Sequence, residues 1–225
     1  DMQGWEAIEA LGTRLPEVAA FYGKTPEQLQ EQLKADHCLK VNRRGELFYA
    51  CPLHAAPNPT EPSNESAASV ASIGPTDIGP FDTSQAFLLH SRPGASRVIY
   101  LDFDGHTDTT PGGWEDGAYA PVYNISGNST AIFEDDERIQ IIQIWQRVAE
   151  DYAMYDIDVT TEEPGVERLR KTSTSDAQFG MRCCIGGSGS LWYGNNVGGV
   201  ALSGSFDAGQ DVPCWVFPVG GTGFG

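Results

Sequence analysis

Apolar positions along this chain fall into two rhythms, separated by a stretch that has neither. In KTPEQLQEQLKAD, Leu29 and Leu33 stand four apart on one helix face. Thr25 sits before them as N-cap, Pro26 at the first helical position and Gln28 in the capping-box place. CLKVNRRGELFYAC then reads as two short strands about the turn NRRG. The second rhythm starts at RVIYLDF (97–103), an apolar strand. FEDDERIQIIQIWQRVAEDYAMY (133–155) predicts a helix. Ile141, Trp145, Val148 and Tyr152 recur at helical spacing, with Ile142 and Ala149 beside them, and the acidic start from Glu134 to Glu137 suits the positive end of the dipole. IDVTTEE (157–163) is a second strand, stopped by Pro164, so strand, helix and strand form a βαβ unit with parallel neighbours. MRCCIGG (181–187), GGVALSGSF (198–206) and CWVFPV (214–219) add three strands. The expected fold is α/β: a five-stranded mixed, mostly parallel sheet with one long crossover helix, too few helices to cover both faces.

The stretch between the rhythms, from Pro52 to Pro80, is rich in Pro, Ser, Ala and Asn. Such a segment has little apolar surface to pack and many points open to proteases. The chain therefore divides into a helix-and-hairpin unit (1–51), a linker (52–80) and a sheet domain (81–225). A length of 225 residues suits one good-sized domain plus a smaller one. The net charge of −17 repels phosphate backbones and anionic lipid, which argues against nucleic acid and membrane partners. No apolar run is long enough to span a bilayer. No signal-peptide pattern opens the chain, so a secreted form would start here after processing.

Candidate chemistry is sparse. Asp102 and Asp104 in LDFDGH lie two apart at a strand end, so both point to one side of the sheet and offer paired oxygens of the kind that hold Ca²⁺. Asp156 and Asp158 bracket the next parallel strand in the same way. The competing reading makes all four polar strand-end residues. The four histidines, His37, His54, His90 and His106, form no HxxxH pair, so none is taken as a zinc ligand. Of five cysteines, Cys38 and Cys51 flank the hairpin, and Cys183 or Cys184 begins a strand expected beside the one starting at Cys214. We take Cys38–Cys51 and a bridge to Cys214 from Cys184, with Cys183 left open as its partner instead, as the expected disulfides, which point to an oxidising, extracellular setting. A two-residue turn at Arg44-Gly45 sets Cys38 opposite Cys51, whereas a bulge at Gly45 slips the register by one residue.

VIYLDFDGH, IWQRVAEDYAMYDIDVTTEEP, GGVALSGSF and CWVFP resemble the amino-terminal half of the catalytic domain of secreted bacterial zinc metallopeptidases of the metzincin type. The resemblance covers roughly 81–225 and is most specific over 144–164. In that group the chain runs strand, long helix, two strands, an antiparallel edge strand, a fifth strand, then an active-site helix carrying HExxHxxGxxH, with zinc-binding histidines and a glutamate base. WVFPVGGTGFG then corresponds to the fifth strand and the loop leading to that helix. The resemblance implies a secreted zinc-dependent endopeptidase made as a zymogen. Residues 1–51 are its propeptide and 52–80 its activation region, and the Zn²⁺ ligands lie outside this chain, in its own C-terminal catalytic half. It also implies that Gly199, Val200, Ala201, Leu202 and Ser203 form an edge strand that pairs with a peptide or protein substrate, small residues letting the peptide come close. The other reading of that strand is an ordinary edge blunted by glycines. Without the active-site helix, Trp215, Phe217 or their neighbours are expected to lack packing partners. Cys38 has a second reading as a latency switch on the zinc. The runner-up function is a non-catalytic secreted module that binds peptides or proteins.

Overall fold

The computed structural model describes residues 1–52, 77–111, 113–114, 117–125, 132–194 and 197–218, without the side chains of Cys51 and Pro52. Most of the linker (53–76), His54 within it, and the closing VGGTGFG lie outside the described residues. Both ends of the 52–80 stretch fall on described residues. Pro52 belongs to a strand, while Gln143 and Gln146 side chains donate to the carbonyls of Asp77 and Ile78, both at 3.1 Å.

The first unit comprises β1 (Met2–Gln3), α1 (Gly4–Leu11), α2 (Leu15–Phe21), α3 (Pro26–Ala35), β2 (Leu39–Val41) and β3 (Leu47–Pro52). Thr25 caps α3 as its sequence predicts. Its Oγ1 accepts the Gln28 N–H at 3.2 Å and Gln28 Oε1 accepts the Thr25 N–H at 2.9 Å, satisfying two donors at the helix start. Leu29 and Leu33 bury against Ala7, Leu11, Leu15, Val41 and Leu47, in a core drawn wholly from this unit. The NRRG turn takes the bulged form: Gly45, at φ +87°, donates its N–H to Asn42 O at 3.0 Å. Leu39 therefore faces Tyr49, and the carbonyl of Cys38 receives Ala50 N–H rather than standing opposite Cys51. Cys38 is not among the free thiols, and with the Cys51 side chain undescribed the Cys38–Cys51 bridge is carried forward as a proposal.

The second unit carries β4 (Arg97–Asp102), a small ribbon of β5 (His106–Thr107) and β6 (Tyr119–Ala120), then α4 (Asp135–Asp151), β7 (Ile157–Thr160), β8 (Phe179–Ile185), β9 (Val197–Leu202) and β10 (Cys214–Val216). β4 and β7 are parallel neighbours joined through α4, the βαβ unit read from the apolar pattern. α4 stops short of the 133–155 pattern: Tyr152 caps it, and Met154 and Tyr155 are exposed beyond its end. The sheet has eight strands rather than five, in the order β1-β2-β3-β9-β10-β8-β4-β7. The five expected strands form its contiguous half, with β10, β8, β4 and β7 parallel and β9 antiparallel to β10. The other three come from the first unit, which adds antiparallel pairs and makes the sheet evenly mixed.

α4 covers one face. Ile141, Ile142 and Trp145 pack on Ile99, Leu101, Val159 and Ile185, and the Trp145 indole N–H donates to Val159 O at 2.8 Å. Beside α4 on that face an apolar cleft of about 540 Å³ remains open, walled by Ile144, Val148, Ile185, Phe206, Cys214 and Val216. The opposite face is filled by Phe48, Ala50, Ala118, Ala120, Val200, Trp215 and Phe217. Trp215 and Phe217 are thus packed, and it is their neighbours Cys214 and Val216 that border the open cleft. Side chains alternate along a strand, so it is Val216 between them that faces the cleft. Among the described residues no helix is long and apolar enough to cross a membrane.

Candidate functional site

Asp102, the last residue of β4, is 2% exposed, whereas Asp104 has left the sheet and is exposed, with the buried Phe103 between them. Asp102 Oδ2 accepts a 2.6 Å bond from Arg182 Nη1 of the neighbouring β8. Arg182 also donates through Nε to Asp211 at 3.0 Å, and its guanidinium lies 5.2 Å from the Tyr100 ring centroid. His106 Nδ1 lies 4.0 Å from the same Asp102 oxygen. With Cys184, Asp102 and His106 form a group whose ligand atoms all lie within 4.8 Å of one another. Sequence reasoning missed His106, Arg182 and Asp211 here. The only local signal was the four-residue spacing from Asp102 to His106, since the other partners arrive from distant strands and loops.

Burial opposes charge on each of these three side chains, while Arg182 favours the charged form of Asp102. Burial first and the adjacent Asp104 carboxyl second push Asp102 up to about 7, against the pull of Arg182. Burial, then the Arg182 charge, lower His106, and burial raises the Cys184 thiol. A reactive cysteine needs the opposite shift, so Cys184 is no nucleophile. The donor types suit zinc, but a guanidinium bonded to Asp102 stands where a cation would. These residues do not fit a zinc site. For the calcium reading of Asp102 and Asp104, the two carboxyls are neighbours, but one Asp102 oxygen is committed to Arg182. Asp102 Oδ1 and Asp211 Oδ1 are buried with no hydrogen-bond partner among the described residues.

Asp158 is likewise a structural anchor. It accepts Arg92 N–H at 3.0 Å and lies 2.7 Å from His90 Nδ1, while Asp156 accepts the Ser96 hydroxyl at 3.2 Å.

The cysteine expectation needs correction on the other strand pair. Cys183, Cys184 and Cys214 are free thiols. In the parallel pairing of β8 and β10, Cys214 stands beside Cys183, and Trp215 beside Cys184. Cys183 hydrogen-bonds Cys214 on the α4 face, while Cys184 lies on the opposite face with Trp215, so a Cys184–Cys214 bridge would have to pass through the sheet.

β9 is the other candidate site, and it is not an edge strand. One side pairs with β10, and the other pairs with β3 through Phe48↔Leu202, Tyr49↔Ala201, Ala50↔Val200 and Cys51↔Gly199. Ser203 N–H continues the ladder to Leu47 O at 2.9 Å. Val200 is buried in the aromatic core, and Leu202 packs against it. Gly199 serves its own sheet: a Cβ there would lie 2.5 Å from the Trp215 carbonyl oxygen of β10.

The side chains around Phe48 are held firmly. Its ring meets Trp114 at 6.1 Å and Tyr193 at 6.2 Å between centroids, both edge to face. Trp114 is positioned by Asp108, which accepts its backbone N–H at 2.8 Å, and by its indole N–H to Pro213 O at 2.6 Å. Trp192 packs between Trp114 and Trp215. A cavity of about 580 Å³ continues from this seat between the hairpin and the second unit, bordered by Arg44, Thr110, Trp114, Trp192 and Tyr193. Comparisons with family models, curated proteins and solved structures find no match to this chain.

Proposed function

We propose that this chain belongs to a secreted zinc-dependent endopeptidase made as a zymogen. Residues 1–51 act as propeptide, 52–80 as the activation segment, and the second unit as the first half of the catalytic domain. One observation carries the reading: the second unit runs β4, α4, β7, β8, antiparallel β9, β10, the order and direction that the sequence resemblance implies. The apolar cleft beside α4, on the face where a further helix would lie, is consistent with it. In this reading zinc and its ligands come from outside these residues, so no chemical step is assigned to Asp102, His106 or Cys184. The described residues contribute the sheet, its packing and the strand β9 on which a peptide would align.

The test compares the 225-residue chain with the longer gene product by metal analysis and a general peptidase assay. We expect the short chain to lack stoichiometric zinc and activity, and the longer product to carry both and lose activity to a chelator. Zinc-dependent cleavage by the short chain would overturn the assignment. A longer product that binds peptides without cutting them would move it to the alternative, a non-catalytic binding module.

A further inference from the structure

Two thiols meet where β8 and β10 run side by side. Cys183 and Cys214 stand in register on these parallel strands. Neighbouring strands lie about 4.8 Å apart, inside the roughly 4.4–6.8 Å between Cα atoms that a disulfide spans. Both side chains lie on the α4 face, both are free, and they hydrogen-bond each other. Cys184 follows Cys183 in the chain yet packs on the opposite face, beside Trp215. Register and alternation therefore single out Cys183, which the sequence leaves level with Cys184. The two paired sulfurs differ in access. Cys183 is 9% exposed, and its hydrogen bond to Cys214, then burial, raise its thiol pKa. Cys214 is half-buried and borders the open cleft beside α4, with Ile144, Val148 and Phe206.

We propose that Cys183 and Cys214 are a redox-active dithiol: a modification site that meets a small uncharged disulfide in the cleft and closes into a bond between β8 and β10. Exchange needs one thiolate within reach of the reagent and a second thiol placed to resolve the mixed disulfide. Cys214 takes the first role. As thiolate it attacks one sulfur of the small disulfide, forming a mixed disulfide and expelling a small thiolate, which takes up a proton. Cys183 takes the second. It gives its proton to water, attacks the Cys214 sulfur and expels the other half of the reagent, which is protonated in turn. The protein dithiol loses two electrons and two protons, and the small disulfide gains them as two thiols. An uncharged reagent is favoured because the cleft walls are mostly apolar and a net charge of −17 repels anions. The new bond closes a loop from 183 to 214 that carries β9, and closing a loop restricts the unfolded chain, so the oxidised form is the more stable. This inference goes beyond the peptidase reading and does not rest on it.

The experiment reduces the folded 225-residue chain with dithiothreitol, desalts it and incubates it with hydroxyethyl disulfide. Remaining thiols are then blocked with iodoacetamide in denaturant, and the unreduced tryptic peptides are mapped, with fragmentation between Cys183 and Cys184 to tell the two apart. We expect Cys183 linked to Cys214 and the block on Cys184. The urea midpoint should rise on oxidation and return when dithiothreitol is added. Cys183→Ala, which keeps the buried face apolar, should halt the reaction at a stable mixed disulfide on Cys214. Cys184→Ala should leave the linkage unchanged. A block on both Cys183 and Cys214 would overturn the proposal, as would a Cys184–Cys214 link. So would a mixed disulfide that persists on Cys214 in the unaltered chain, or an oxidised form no more stable than the reduced one. If Cys183→Ala does not fold, the map and the urea midpoint of the unaltered chain decide the matter without it.

Discussion

His90 is held between two carboxylates, 2.7 Å from Asp158 and 2.9 Å from Glu162. Burial works against the charged ring, but the two hydrogen-bonded carboxylates outweigh it and its pKa is raised. A raised folded value means a contribution that is full below the unfolded value of about 6.5 and lost as pH climbs through the folded one. Denaturant unfolding of wild type and His90→Asn should therefore show a stability gap that is full below about pH 6.5 and narrows as pH rises above it. A gap that is flat or widens with pH contradicts this. The sequence showed His90 only as one of four unpaired histidines, because its two acids lie 68 and 72 positions away. Asp102 was legible as a strand-end acid. Its use was not, since Arg182 arrives from β8, 80 positions on, and converts an apparent oxygen ligand into half of a buried ion pair.

Elements were readable where their cause is local. The cap on α3 and the apolar stripe of α4 depend on residues three and four apart, and both formed as expected. The hairpin was readable as two strands, but its register turned on whether Gly45 took positive φ, which the four letters NRRG leave open. β9 was readable as a strand and misread as an edge, because which strand lies alongside is decided by a partner far away in the chain. Its glycines were credited to an incoming peptide, yet Gly199 answers to the neighbouring Trp215 carbonyl. Gly199→Ala should push β9 and β10 apart and cost about 1–3 kcal/mol in chemical unfolding. A substitution that is neutral or stabilising would show that the two strands are not so close.

At the scale of the molecule, two hydrophobic rhythms suggested two bodies joined by a linker. They do keep separate cores, but they share one sheet, and the join at β3 and β9 leaves no trace in composition or periodicity. That join also sets an order of events for the chain as it acquires structure. The first unit draws its core from neighbouring residues and closes loops of modest length, which is fast, whereas β9 must find β3 from the far side of the chain, with Ala50 opposite Val200, which is slow. A hairpin formed early would present β3 as a ready template on which β9 nucleates, sparing the nascent sheet an open, aggregation-prone edge. Pulse-labelled hydrogen exchange during refolding of the full chain should find β2 and β3 amides protected before those of β9 and β10. If β9 and β10 gain protection first, the hairpin is a late addition with no part in building the sheet it completes.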